Sequence, residues 1–95
     1  MIIFNDFKCE IQIEKYHNSN KVIRLLDAED GMPVAIATLN VNGLELDEVA
    51  IKNYSENEGV YDALLEAGVI TPKHREVSTG YVTVPVCKLT NDYKI

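Results

Sequence analysis

Along residues 7–14 apolar and polar side chains alternate one by one. Phe7, Cys9, Ile11 and Ile13 fall on one side, and Lys8, Glu10, Gln12 and Glu14 on the other. A period of two marks a half-buried strand in an antiparallel sheet. His17, Asn18, Ser19 and Asn20 are turn residues, and residues 21–28 read as a second strand, so the two runs form a hairpin. Glu29, Asp30 and Gly31 supply the next reversal, with Gly31 free to take positive φ.

Residues 32–41 are nearly continuous in apolar character. Pro33 suits a strand start, and Ala35 and Ala37 alternate with Val34 and Ile36. This predicts a central strand covered on both faces, its alanine face close to another backbone. Asn42-Gly43 is a further turn signal. Residues 44–54 read as a fourth strand with Val49 and Ile51 inward. Residues 80–89 read as the last, with Val82, Val84 and Val86 on one face. Pro85 cannot donate to a ladder, which places that strand at an edge or at a bulge.

One segment has helical grammar. In NYSENEGVYDALLEAGVI, residues 53–70, Val60, Ala63, Leu64 and Ala67 recur at helical spacing. Ser55 and Glu58 fit a capping box, with Asn57 as a competing N-cap, and Gly68 suits the left-handed position after the helix, with Leu64 and Val69 in contact. The prediction is an α+β domain spanning 1–95: a curved, mostly antiparallel sheet of about five strands with one helix, about 56–67, packed on one face.

Ninety-five residues, 46% hydrophobic and 25% charged, are enough for one modest core. No run approaches the roughly 20 apolar residues of a membrane span, and the first ten lack the pattern of a signal peptide, so the cytoplasm is the expected compartment. There Cys9 and Cys87 are expected to be free, buried thiols.

The net charge of −6 is unevenly spread. Residues 1–24 carry +1 and residues 71–95 carry +2, whereas residues 25–70 hold ten acids against Lys52 alone, giving −9. This argues against direct binding to nucleic acid, which wants a basic patch. The acids Asp27, Glu29, Asp30, Glu45, Asp47, Glu48, Glu56 and Glu58 are the candidate partner-binding residues: converging on one side, they would steer a basic partner.

Catalytic motifs do not emerge. The run from Asp27 to Gly31 misses the calcium-loop register, because its glycine falls one position early. His17 and His74 read as exposed, solvated histidines without carboxylate or metal partners. Neither a nucleophile elbow nor a phosphate loop is present. The reading is of a protein that is not an enzyme and needs no cofactor or metal.

Residues 51–89 carry a resemblance. The YSENEG helix entry, the LLEAGV helix exit and the GYVTVPVCKL final strand resemble a small domain-of-unknown-function family encoded on conjugative elements, plasmids and prophages of Gram-positive and gut bacteria. Where that family often has a TGR-like motif before the glycine–aromatic pair, this chain has KHREVSTGY. The resemblance brings no catalytic residues. It implies a setting of mobile genes that must survive host defence, and so a counter-defence inhibitor of the anti-CRISPR or antirestriction type, binding a Cas effector or another nucleic-acid-handling enzyme. The rivals are a homo-oligomerising accessory protein of element maintenance, associating through the Pro85 strand, and an enzyme using Cys9 or Cys87.

Overall fold

The computed structural model describes residues 2–94. Its first sheet grows by successive hairpins. Strands β1 (Ile2–Phe4) and β2 (Phe7–Lys15) are joined by Asn5 and Asp6, whose φ values of 50° and 69° are those a two-residue hairpin turn requires. The predicted hairpin of β2 with β3 (Lys21–Asp27) is present, in register from Cys9 opposite Asp27 to Lys15 opposite Lys21. Gly31, at φ +75°, then turns the chain into β4 (Pro33–Ile36), which pairs with β3 through a bulge at Leu25/Leu26.

The second sheet contains β5 (Thr38–Leu39), β6 (Glu48–Ile51), β7 (Arg75–Ser78) and β8 (Thr83–Lys88). Both sheets have four antiparallel strands, ordered β1-β2-β3-β4 and β5-β6-β8-β7. The α+β class stands, but the expected single sheet of about five strands is replaced by two. The division falls at Ala37. Its N–H donates to the Ile23 carbonyl in the first sheet at 2.8 Å, and its carbonyl accepts from Lys52 N beside the second, also at 2.8 Å. The apolar run 32–41 is therefore not one central strand but two edge strands either side of a corner. Periodicity continues through such a corner while the pairing partner changes.

Two further expectations change. Strand β8 is interior, between β6 and β7, so Pro85 is not on an edge. The β6–β8 ladder runs from Glu48 opposite Lys88 to Ala50 opposite Val86 and ends there, leaving Pro85 paired only with Glu76 of β7. Proline is accommodated where a ladder stops. The edge-to-edge self-association expected of this strand thus loses its structural basis. Arg75–Ser78 is the strand that covers that edge.

The helix α1 runs Val60–Glu66, shorter than the predicted 56–67, and follows a separate 3-10 turn at Ser55–Asn57. The capping box does not form. Ser55 sits at φ 54° within the 3-10 turn, and the helix N-cap is Gly59 at φ 95°. Asn53 takes over: its side-chain oxygen accepts from Gly59 N at 3.1 Å and Tyr61 N at 3.0 Å. Asn57 instead donates its amide to Ile36 O at 2.7 Å, tying the turn to β4. The C-terminus is as expected. With Gly68 at φ +76°, Val69 N donates to Leu64 O and Gly68 N to Leu65 O, the two bonds of a Schellman motif.

The main core lies between the sheets and the helix. Ile2, Phe4, Cys9, Ile23 and Leu25 meet Val49, Ile51, Cys87 and Leu89, with Val60, Leu64, Val69 and Ile70 in the same cluster. A smaller cluster of Ala50, Val84 and Val86 buries the other face of the second sheet beneath Val41, Leu44 and Tyr54. Hence every residue of β6 is buried.

Candidate functional site

Burial on both faces makes a carboxylate on β6 costly unless it is paired. Glu48, 3% exposed, is paired throughout. Arg75 donates Nη2 to Oε1 at 2.6 Å and Nε to Oε2 at 3.1 Å. His74 Nε2 lies 2.5 Å from Oε2, and Glu45 N donates to Oε1 at 2.9 Å. Arg75 also donates to the Gly43 carbonyl at 3.0 Å. The Arg75 guanidinium, followed by the Glu45 amide and His74, pulls the Glu48 carboxyl down to about 2 against the penalty of burial. A carboxylate so saturated is a poor proton acceptor at neutral pH. Glu48 is thus a structural tie between β6, β7 and the loop before β6, not a partner contact. His74 is likewise no free histidine.

The remaining candidate acids do not gather on one side. Asp27, Glu29 and Asp30 lie at the turn after β3, while Glu45 and Asp47 lie near its start, where Lys21 Nζ donates to Leu46 O at 3.4 Å. A seven-residue strand separates those ends by roughly 20 Å. Several acids are already engaged. Asp47 pairs with Lys94 at 3.2 Å and Glu56 with Lys52 at 2.6 Å. Asp27 accepts from Glu29 N at 2.8 Å and Asp30 from Met32 N at 2.9 Å, as turn-forming side chains do. Glu58 is exposed on the link between the 3-10 turn and α1.

One acidic group retains the geometry of a binding surface. The β1–β2 and β3–β4 turns share an end of the first sheet, where Ala28 N donates to Lys8 O at 2.9 Å. Asp6, Phe7, Lys8, Asp27, Ala28 and Glu29 line a cavity of about 400 Å³ there. Phe7 is 48% exposed, and Met32, in the same turn as Asp30, is 62% exposed. The alternation had placed Phe7 inward with Cys9, but the strand begins beyond the reach of the core. The signal for this end is the Asn5-Asp6 pair between two apolar stretches, which forms the turn that leaves Asp6 and Phe7 at the surface.

Other chemistry is scarce. Both cysteines are free and buried. Burial raises the Cys9 thiol, with Asp27 adding to it, and pushes Cys87 up to about 11. Such thiols hold little of the nucleophilic thiolate at neutral pH. Among the described residues no group of three or more His, Cys, Asp or Glu side chains is placed to hold a metal ion, and no helix is long and apolar enough to cross a membrane.

No protein-family model, curated protein or solved structure matches the chain. The chain is a small α+β domain of two four-stranded antiparallel sheets, with Asp6, Asp27 and Glu29 lining a cavity beside exposed Phe7 at one end of the first.

Proposed function

We propose that this chain is a non-enzymatic binding protein that engages a basic, apolar-tipped surface of a protein partner through the turn end of its first sheet. The observation that carries this reading is exposed Phe7 beside Asp6, Asp27 and Glu29, with Lys8 as the cation lining the same cavity, and exposed Met32 held to Asp30 in the adjoining turn. An apolar centre within a charged rim is the anatomy of a protein interface. The like-signed rim adds steering toward positive charge.

The family resemblance of residues 51–89 supports the partner class: a nucleic-acid-handling defence enzyme in the cytoplasm, with a basic cleft built for phosphate. The acids then act as an anti-CRISPR or antirestriction surface, smaller than the eight-residue set expected from charge alone.

The test is inhibition and direct binding across a panel of purified Cas effectors and restriction endonucleases. A double variant, Asp6→Asn with Glu29→Lys, and the single variant Phe7→Ser should each weaken binding at unchanged thermal stability. The reading fails if no enzyme of the panel is bound, or if both variants inhibit as well as the parent chain. Sedimentation addresses self-association separately, and a monomer at micromolar concentration is expected.

A further inference from the structure

At the other end of the hairpin the charge pattern inverts. Lys21 opens β3 on the core-facing row it shares with Ile23 and Leu25, and it is 3% exposed. A lysine is seldom so buried without a carboxylate beside it. The hydrogen bond described for its ammonium is a long one, 3.4 Å to the neutral Leu46 carbonyl.

Lys21 lines a cavity of about 330 Å³ with Leu46, Asp47, Leu89 and Lys94. Asp47 is already bound to Lys94, whose hydrogen bond is the main cause holding its carboxyl below the usual range. Lys15 stands opposite Lys21 in the β2–β3 register. Its two apolar lining residues differ in exposure: Leu89 is buried at 1%, and Leu46 is 76% exposed. In a chain of net charge −6, the lining of this recess carries two lysines against one acid.

We propose that this recess binds a small aliphatic carboxylate, its anionic group taken by Lys21 and its hydrocarbon body lying along Leu46 at the edge of the buried Leu89. A charged acceptor would offer the ammonium a short, charge-assisted hydrogen bond where it now has the long one to Leu46 O. The exposed Leu46 side chain would lose water by closing over the hydrocarbon. A phosphate is the poorer fit, because it has no apolar body for these leucines to cover and meets no guanidinium fork here. The size stands at the lower end of the range for small-molecule sites, about 300–1,000 Å³.

The probes are hexanoate, 1-hexanol and inorganic phosphate, titrated into the full chain and followed by amide chemical shifts. Hexanoate should shift the resonances of Lys21, Leu46, Leu89 and Lys94 saturably. 1-Hexanol and phosphate should bind at least about tenfold more weakly, the factor expected for losing one charged hydrogen bond or the apolar contact. Lys21→Met should lose hexanoate binding by a similar factor. Leu46→Glu, at an exposed position, should do the same by placing a rival carboxylate at the mouth. The proposal is overturned if hexanoate gives no saturable shift, if 1-hexanol or phosphate matches it, or if a folded variant of either residue binds as the parent does.

Discussion

Glu48 and Arg75 bind each other over the top of an intervening strand: one lies on β6, the other on β7, and β8 separates them in the sheet. The two-pronged contact holds the order of three strands at once. Its guanidinium side remains partly open to water while its carboxylate side is buried, at 39% and 4% side-chain exposure. The two halves are therefore unequal in what their removal leaves behind. Loss of Arg75 strands a buried charge, whereas loss of Glu48 leaves a cation that water can solvate.

Arg75→Met is accordingly expected to destabilise the fold by more than the loss of an exposed ion pair would, because the carboxylate it leaves behind is buried. Arg75→Lys should recover only part of this, since an ammonium cannot reproduce the fork that meets both carboxylate oxygens. Urea unfolding of the three proteins measures the difference, and equal midpoints for Arg75→Met and the parent would remove the tie from the account.

The same pair sets an acid limit. Glu48 is held at about 2 in the folded chain, below the ordinary carboxylate value of 4.5, so its contribution is complete above that ordinary value and lost as pH falls towards 2. The melting temperature of Glu48→Gln should lie furthest below the parent's near neutral pH. The gap should close as both are acidified towards 2. A gap independent of pH would show that the charge contributes nothing.

Asn53→Ala should cost about 1 kcal/mol, as removal of a helix-capping side chain does. Ser55→Ala should be close to neutral, because Ser55 makes no side-chain cap in either short helix. Thermal melts of the two variants decide between them, since a capping box would make Ser55→Ala the costlier.

In the native protein at pH 8, Cys9 and Cys87 should resist a thiol reagent such as an aromatic disulfide, and both should react on unfolding. Burial withholds them from the reagent, and their raised thiols leave little thiolate. Rapid labelling of the folded chain would reopen thiol chemistry.

Local chemistry made much of this legible in the residues. The β2–β3 hairpin, the turn at Gly31, the inward Val49 and Ile51 and the Schellman end at Gly68 all follow from near-neighbour preferences. Periodicity and glycine conformation are properties of a few consecutive residues, and a sequence states them directly. The candidate site was less legible. Of the eight acids, Asp27, Glu29 and Asp30 belong to the proposed surface, while Asp6 and Phe7 join it from the β1–β2 turn, outside the acidic segment.

What tertiary structure alone decided has one physical cause: a residue's partner may lie far along the chain. Ala37 looks like any small residue in an apolar run until its N–H and carbonyl are seen to serve different sheets. Glu48 looks like one acid among many until Arg75, more than twenty-five positions away, arrives to neutralise it and His74 lies against the same carboxylate. Alternation along β6 gives the inward side of Val49, but only packing buries the opposite side, and that burial turns a surface charge into a structural tie.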